Sequence, residues 1–389
     1  MSKPKAMSRV MIDIETQVIQ EISNLEEMIL TEVPKLQEVR GEDDSTHLKV
    51  AASFFEPTQA RYLFKKPLGK GASACVSLVQ DVDIGRKVAI KEYKHRGDKG
   101  HRTCQKELQI LGLLDHGGIP TIYDFGADEH KQYYCVMRYI EGLTLRDIIT
   151  QLQRGDATTH SRFQFQDRAD IIVQLLRIIG CAHDQEIIHR DIKPENIMVS
   201  SDGEVSLIDW GIAQKIERDI TVENLVGTPS YMSPEQINLE DLDQRSDIYS
   251  IAVVFYELLS LYRTVPLQEN VFSLLNAIRT AEIKLVDKLP HASQGYVPSE
   301  FKAIVHKGLA SKKEDRYSSA EAMLLELLAM RNGDFCSICP RTTIKSVLYR
   351  FMQWLDLNPF INVPITILGL IATPILFVFL GVVLAKALM

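Results

Sequence analysis

The sequence lacks a basic excess. It has 44 lysine and arginine residues against 51 aspartate and glutamate residues, which gives a formal net charge of -7. A nucleic-acid-binding protein needs a basic excess or a concentrated basic face to neutralise phosphates, and no basic stripe stands out in the sequence. The composition therefore argues against a nucleic-acid partner.

Cysteine is also sparse, with six in 389 residues, and the N-terminal stretch MSKPKAMSRV lacks the apolar core of a signal peptide. We therefore expect the bulk of the chain in a reducing cytoplasm. One C-x-x-C pair, Cys336 and Cys339, is only half of a zinc site. We interpret the pair as ordinary thiols, with acylation near a membrane as the alternative.

Residues 1–55 show a helical pattern, because Ile14, Val18, Ile22, Leu25 and Ile29 recur at steps of three and four until a proline interrupts them. We expect a helical N-terminal extension that lies on the next domain. A free coiled coil is the alternative, although the pattern is short for one.

Residues 62–330 first alternate like strands, as in ACVSLVQDV and YYCVMRY, and then become helical, as in ADIIVQLLRIIGCAHDQ. This order predicts an α+β architecture with a small β-rich lobe followed by a larger α-helical lobe. A cleft between two such lobes is a natural ligand site.

The sequence has no G-x-x-x-x-G-K-[ST] motif, which excludes a P-loop. Instead, Gly69 and Gly71 lie in LGKGASACVSLV, where Ala74 occupies the third small position. Glycine lets backbone amides approach phosphate oxygens. The stretch lies between two strand-like runs, so it favours a flap over a nucleotide rather than a dinucleotide fingerprint.

Lys91 ends the apolar run VAIK, where a lysine needs an anionic partner. Glu107, in the helix-like stretch TCQKELQILGLL, can supply that partner while Lys91 also reaches phosphates. A surface lysine and a surface glutamate are the alternative interpretation of these two residues.

The stretch IIHRDIKPENIMV places three chemically active side chains on one short loop. Asp191 can orient and deprotonate a hydroxyl, Lys193 can neutralise a transferring phosphoryl group, and Asn196 can bind a metal. Asp209 follows at the end of the next strand-like run and completes the metal site.

Together these motifs resemble the eukaryotic-type protein kinase family. The stretch VMRYIEGLTLRDII is similar to the hinge of its membrane-linked bacterial serine/threonine members. The resemblance continues in GTPSYMSPEQ, in SDIYSIAVVFYELL with Asp247 as an anchoring acid, and in DRYSSAEAM. It implies that Arg316 is the ion-pair partner of Glu235. It implies the two-lobed protein kinase fold, ATP and Mg²⁺ (or Mn²⁺) as cofactors, and protein substrates with serine or threonine hydroxyls.

The resemblance also assigns roles to individual residues. The catalytic set comprises Asp191, Lys193, Lys91, Glu107 and Thr228, and the metal ligands are Asn196 and Asp209. Met137 is the gatekeeper, and residues 138–140 form the adenine hinge. The full set of implied ATP-binding residues is Leu68, Gly69, Lys70, Gly71, Ala72, Ser73, Ala74, Cys75, Val76, Ala89, Lys91, Met137, Ile140 and Met198.

Trp210 stands where the family usually has phenylalanine, but it keeps a large apolar ring and removes no ligand. Thr228 and the loop DIKPEN are of the serine/threonine form. These residues favour an active enzyme, and a membrane-bound pseudokinase scaffold with weak or no transfer activity is the alternative.

Residues 363–385 contain no charge over 23 positions, roughly 35 Å as a helix at about 1.5 Å per residue. This exceeds a hydrocarbon core of about 30 Å and predicts a transmembrane helix. A juxtamembrane segment, residues 331–360, precedes it. Arg341, Lys345 and Arg350 lie before the span and Lys386 after it, which predicts a single-pass protein with a cytoplasmic kinase domain.

Thr221 is the hydroxyl residue that we predict to be phosphorylated. The resemblance implies that Arg190 stays unpaired until a phosphate on the activation segment meets it. Thr221 lies in the polar stretch RDITVENL, away from the docking run that follows. We expect one copy to phosphorylate another, so self-association is a predicted property.

Overall fold

The computed structural model describes residues 61–71, 73–216, 226–266, 268, 271–280, 283–284, 286–289 and 291–331. Several predicted features lie outside these residues: Ala72, Thr221, the helical extension 1–55, the pair Cys336 and Cys339, nearly all of the juxtamembrane segment, and the predicted span 363–385.

The N-terminal lobe is built on a five-stranded antiparallel sheet in the order β1–β2–β3–β5–β4. The strands are β1 (Tyr62–Lys70), β2 (Ala74–Asp81), β3 (Arg86–Arg96), β4 (Ile122–Ala127) and β5 (Gln132–Arg138). Their alternating sequence divides successive side chains between two faces of the sheet.

Lys91 and Tyr93 of β3 point to the face that packs against helix α1 (Gly97–Leu113), because both reach Glu107 of that helix. The residues of β3 that alternate with them turn to the other face, where Val88 and Ile90 join a small apolar core. The alternation of β3 therefore decides which side chains face the helix and the cleft.

The C-terminal lobe is organised around helix α6 (Gln244–Ser260), which is buried on all sides and therefore central to the lobe. Asp243 caps the N-terminus of helix α6, because its carboxylate accepts a hydrogen bond from the Arg245 amide at 2.8 Å. Leu261, which has φ 62°, caps the C-terminus. The other helices are α2 (Leu145–Gln153), α3 (Ala157–Arg162), α4 (Phe165–His183), α5 (Pro234–Ile237), α7 (Val271–Thr280), α8 (Glu300–Gly308) and α9 (Ala320–Arg331).

Short strand pairs beneath the sheet position the loops of the cleft. Strand β7 (Ile187–Ile188) pairs with β10 (Gln214–Lys215), and β8 (Ile197–Val199) pairs with both β6 (Leu143–Thr144) and β9 (Val205–Leu207). The loop 189–196 is therefore fixed at both ends, and Asp209 follows the end of β9.

The predicted two-lobed architecture is confirmed. The transmembrane helix is not: within the described ranges, no helix is both long enough and apolar enough to cross a bilayer, and the predicted span falls beyond residue 331.

Candidate active site

A cleft of about 660 Å³ lies between the lobes and is lined by the flap, the sheet, the hinge and the loop that follows β7. Its volume lies within the range of small-molecule sites. The residues predicted to bind ATP that line it are Leu68, Gly69, Lys70, Gly71, Ser73, Ala74, Val76, Ala89, Lys91, Met137, Ile140 and Met198.

Cys75 differs from this prediction, because it does not line the cleft. It pairs with Glu92 of β3, whereas its neighbour Ala74 pairs with Tyr93 and Val76 pairs with Lys91. Residues that pair across antiparallel strands share a face, and successive residues alternate. The side chain of Cys75 is therefore on the face of the sheet that is turned away from the nucleotide-sized cavity.

At the back of the cleft, the ammonium group of Lys91 donates to Glu107 at 2.6 and 2.9 Å and to Asp209 at 2.8 Å. Burial alone would lower the pKa of Lys91, but the negative charges of Glu107 and Asp209 outweigh it and raise the pKa. Burial similarly opposes ionisation of Asp209, yet the charge of Lys91 holds the pKa of that carboxyl below its usual value. The Lys91 ammonium group therefore lies between two carboxylates, and the pKa shifts favour the charged forms of Lys91 and Asp209.

Tyr93 was not identified from the sequence, although it supports this ion pair. Its hydroxyl donates to the Glu107 carboxylate at 2.9 Å. Tyr93 lies two residues after Lys91 on the same strand, so the alternation rule places both on the face of helix α1. That spacing is the signal in the sequence that predicts this contact.

Trp210 and Gly211 follow Asp209. The Trp210 ring is fully buried, packs edge-on against His189 with centroids 4.6 Å apart, and donates its indole N–H to the Leu207 carbonyl at 3.0 Å. A Cβ on Gly211 would lie 3.4 Å from both Asp209 Oδ1 and Glu107 Oε2. A methyl group there would make ordinary van der Waals contact with both carboxylates, so Gly211 packs closely against the acidic groups that bind Lys91.

The loop after β7 forms a second polar network. Thr228 Oγ1 donates to Asp191 Oδ1 at 2.7 Å, and Lys193 Nζ donates to Asp191 Oδ2 at 2.5 Å and to Thr228 Oγ1 at 2.8 Å. Asn196 Nδ2 donates to the Asp191 backbone carbonyl at 2.9 Å. The Asp191 carboxylate is thus oriented by side chains from two separate segments.

Asp247 of the central helix anchors this loop. Its buried carboxylate accepts hydrogen bonds from the backbone N–H groups of His189 and Arg190, at 2.9 and 3.0 Å, and from His183 Nε2 at 2.9 Å. Arg190 and Asp209 have φ values of 70° and 63°, in the left-handed region. Such strained residues persist where surrounding contacts hold them and are enriched at functional sites.

The protein kinase domain family matches residues 62–327, well over half of the sequence. The chain belongs to the protein kinase domain family. The predicted resemblance to eukaryotic-type, bacterial-like serine/threonine protein kinases is therefore confirmed.

Among bacterial relatives, this chain is 31% identical over 284 residues to the serine/threonine-protein kinase PknB of Mycobacterium tuberculosis, a match that covers 70% of this chain and 43% of PknB. It is 33% identical over 281 residues to the serine/threonine-protein kinase PrkC of Bacillus subtilis, covering 70% and 41% of the two chains. The chain thus spans about two fifths of the length of these curated relatives.

The predicted hinge contains Arg138, where the family often has a glutamate. The Arg138 guanidinium donates to the Gly117 carbonyl, and its backbone N–H donates to the Thr121 carbonyl at 2.9 Å. The Arg138 side chain therefore forms a hydrogen bond with the segment that follows helix α1.

Protein kinases use ATP and a divalent metal, and the residues present here fit that ion. Asn196 uses its amide N–H on Asp191, while no hydrogen bond among the described residues engages its amide oxygen. Amide and carboxylate oxygens are ligands that Mg²⁺ accepts, together with phosphate oxygens and water. Among the same residues, no cluster of three or more His, Cys, Asp or Glu side chains suits a metal. Asn196 and Asp209 both line the cleft and are the candidate ligands.

Arg190 is the residue predicted to lack an anionic partner until a phosphate meets it. One of its guanidinium nitrogens donates to Gln214 Oε1, while Nε is buried with no hydrogen-bond partner within the part of the chain that the structure describes. Burial lowers the pKa of Arg190. A neutral amide thus contacts the guanidinium, which still has no described anionic partner.

Proposed function

We propose that the protein is a membrane-anchored protein serine/threonine kinase that transfers the γ-phosphoryl group of ATP to serine or threonine hydroxyls and phosphorylates other copies of itself. One observation carries the proposal: the hydrogen-bonded set of Asp191, Lys193 and Thr228 adjoins the cavity that holds Lys91 and Asp209. This arrangement combines a proton acceptor with cationic and acidic groups suited to a polyphosphate and its metal.

In the proposed mechanism, the apolar lining of the cleft binds the adenine. Leu68, Val76 and Ala89 line it from the sheet and Met198 from the C-terminal lobe. The hinge backbone at residues 138–140 supplies the polar contacts, and Met137 limits the depth of the pocket. Lys91 aligns the phosphates and is itself held in place by Glu107.

The phosphoryl-transfer step uses the loop residues. The substrate hydroxyl attacks the γ-phosphorus, its proton passes to Asp191, and the bond to the bridging oxygen of the leaving ADP breaks. Lys193 stabilises the negative charge on the transferring group, and Thr228 orients Asp191. When bound through Asn196 and Asp209, a divalent metal supplies neutralisation of phosphate charge.

The proposed activity is tested with the full chain, labelled ATP and Mg²⁺ or Mn²⁺. We expect the wild type to transfer label to itself and to a generic serine/threonine substrate. Asp191→Asn keeps the size of the side chain but removes the proton acceptor, so it should lower transfer by about a hundred- to ten-thousand-fold. Mass spectrometry of the same labelled protein locates the modified residue, which we expect to be Thr221.

The controls separate chemistry from folding. Circular dichroism and thermal melting should show that Asp191→Asn is folded. No transfer by a well-folded wild type with either metal would support the scaffold alternative, and label on residues other than Thr221 would remove only the proposed phosphosite. Mixing active protein with an Asp191→Asn copy of different mass tests transfer between copies, which a shared membrane would favour by raising their local concentration.

Membrane anchoring is supported by the uncharged stretch 363–385 and the preceding basic residues. We expect the full chain to sediment with carbonate-washed membranes, whereas a chain truncated after Asp356 should enter the soluble fraction because it lacks the span. The full-length Asp191→Asn variant is the matched control and should still sediment. Sedimentation of the truncated chain with washed membranes would contradict this anchor.

A further inference from the structure

A second cluster of charged side chains lies outside the nucleotide pocket. Arg146, in the first turn of helix α2, donates from Nε to Glu195 Oε1 at 2.8 Å and from Nη1 and Nη2 to the Glu257 carboxylate at 2.7 and 3.3 Å. Its Nη2 also contacts the hydroxyl of Tyr231, which itself donates to Glu257 at 2.7 Å. One guanidinium therefore serves two carboxylates.

This cluster adjoins the predicted phosphoacceptor position. Glu195 lies in the loop between Lys193 and Asn196, both of which contact Asp191, and it lines the mouth of the cleft. Tyr231 follows Thr228, the other Asp191 partner, by three residues. A peptide whose hydroxyl reaches Asp191 must therefore carry its flanking residues past this cluster.

The degree of burial differs within the cluster. The Glu195 side chain is 44% exposed and Arg146 20%, whereas Glu257 is 1% exposed. Arg146 thus neutralises a buried carboxylate on one side and an accessible carboxylate on the other. Without it, two acidic groups beside the acceptor position would attract a cationic substrate residue.

In the wild type, binding of a cationic substrate residue beside Glu195 and Glu257 is energetically unfavourable. It would have to separate Arg146 from Glu195, and the planar guanidinium already satisfies Glu257 with two donors in a fork geometry. Both carboxylates are therefore engaged from within the chain.

We propose that Arg146 fills the acidic subsite formed by Glu195 and Glu257, so that this kinase takes protein substrates without a basic residue at the flanking position that faces the cluster. The inference rests on the proposed kinase function and adds a residue that determines specificity. Arg146 acts by occupying a substrate subsite, and an uncharged flanking residue is the class of side chain that the subsite accepts.

The test is a set of peptides with one acceptor serine or threonine, in which each flanking position in turn is glutamine, arginine or glutamate. For wild type, arginine at the position facing the cluster should give no gain in kcat/KM over glutamine. For Arg146→Gln, arginine at that one position should raise kcat/KM by about tenfold, mainly through KM, because the substrate then supplies the missing cation.

Matched variants test whether Glu195 is the carboxylate that binds the substrate arginine. Arg146→Gln combined with Glu195→Gln should lose most of the gain for arginine, and Arg146→Lys, which keeps the charge, should resemble wild type. Glu195→Gln alone leaves the buried ion pair between Arg146 and Glu257 intact, and it frees the Nε edge of the Arg146 guanidinium. It should therefore raise kcat/KM for glutamate at the same position by about threefold, which tests the subsite even if Arg146→Gln does not fold.

The outcomes separate the two proposals. If the wild type phosphorylates neither itself nor any peptide, the kinase function fails. If it phosphorylates peptides but neither Arg146→Gln nor Glu195→Gln changes the preference at any flanking position, only the role of Arg146 is overturned. The role of Arg146 would also be overturned if the wild type already preferred arginine at the flanking position where the variants alter the peptide preference.

Discussion

Lys91→Ala and Asp209→Ala are each expected to lower phosphotransfer by at least about a thousand-fold, as measured by kcat/KM with a peptide substrate. Removal of one preorganised electrostatic group from a transition state costs about a hundred- to thousand-fold, and each of these residues acts on several phosphate oxygens at once. In the proposed mechanism, the Lys91→Ala variant no longer aligns the phosphates, and the Asp209→Ala variant lacks one of the two metal ligands. Both effects fall mainly on kcat.

The control for Lys91→Ala is Lys87→Ala, which removes an exposed lysine from the same strand and should leave activity within about twofold of wild type, as is usual for surface substitutions. Lys91→Ala also leaves Glu107 without its cation, although Tyr93 still donates to that carboxylate. Thermal melting therefore has to accompany the kinetics. Activity within a few-fold of wild type in either variant would contradict the assignment.

The parts of the site that the sequence predicts are mostly local. Asp191, Lys193 and Asn196 lie within six residues of one loop, so their spacing alone brings them together. Lys91 and Glu107 are further apart, but a lysine at the end of an apolar strand requires an anion, and that requirement predicts the pair seen at 2.6 Å.

The Arg146 cluster could not be predicted in this way. Its members come from helix α2, the catalytic loop, the segment after Thr228 and helix α6, and Arg146 is 111 positions from Glu257. Nothing in the local pattern around Arg146 distinguishes it from a solvated cation at the start of a helix. The contact depends on how the loop and the central helix pack together.

Trp210 shows how a departure from the family pattern is accommodated. A phenylalanine could make the edge-on contact with His189, but it has no N–H to donate to the Leu207 carbonyl. The indole therefore adds a buried hydrogen bond that holds the residue after Asp209 in place. The sequence predicts the retained apolar ring, whereas the additional hydrogen bond requires the geometry of the turn.

Arg316→Met is expected to lower the free energy of unfolding by about 3–5 kcal/mol, the cost of breaking a buried ion pair by removing one partner. Arg316 donates to the two Glu235 oxygens at 2.6 and 2.8 Å, and both side chains are buried. Without the guanidinium, the hydroxyl of Ser246 is the remaining side-chain donor to Glu235 among the described residues. Urea unfolding followed by tryptophan fluorescence measures the change.

The effect should depend on pH. Burial would raise the pKa of Glu235, but the hydrogen bonds and charge of Arg316 outweigh it and hold the pKa below its ordinary value. A carboxyl with a depressed folded-state pKa stabilises the fold above its unfolded pKa of about 4.3. That stabilisation is lost as the pH falls through the folded value. The difference between wild type and Arg316→Met should therefore be largest near neutral pH and shrink below about pH 4.

The double variant Glu235→Gln with Arg316→Met distinguishes an unpaired charge from a simple loss of packing. Because it removes the buried carboxylate as well as the guanidinium, it should recover part of the lost stability, giving a strong positive coupling between the two sites. Loss of packing alone would instead make the two substitutions additive. An Arg316→Met protein within about 1 kcal/mol of wild type at pH 7 would show that solvent reaches Glu235 and that the ion pair does not hold helix α5 against the base of helix α6.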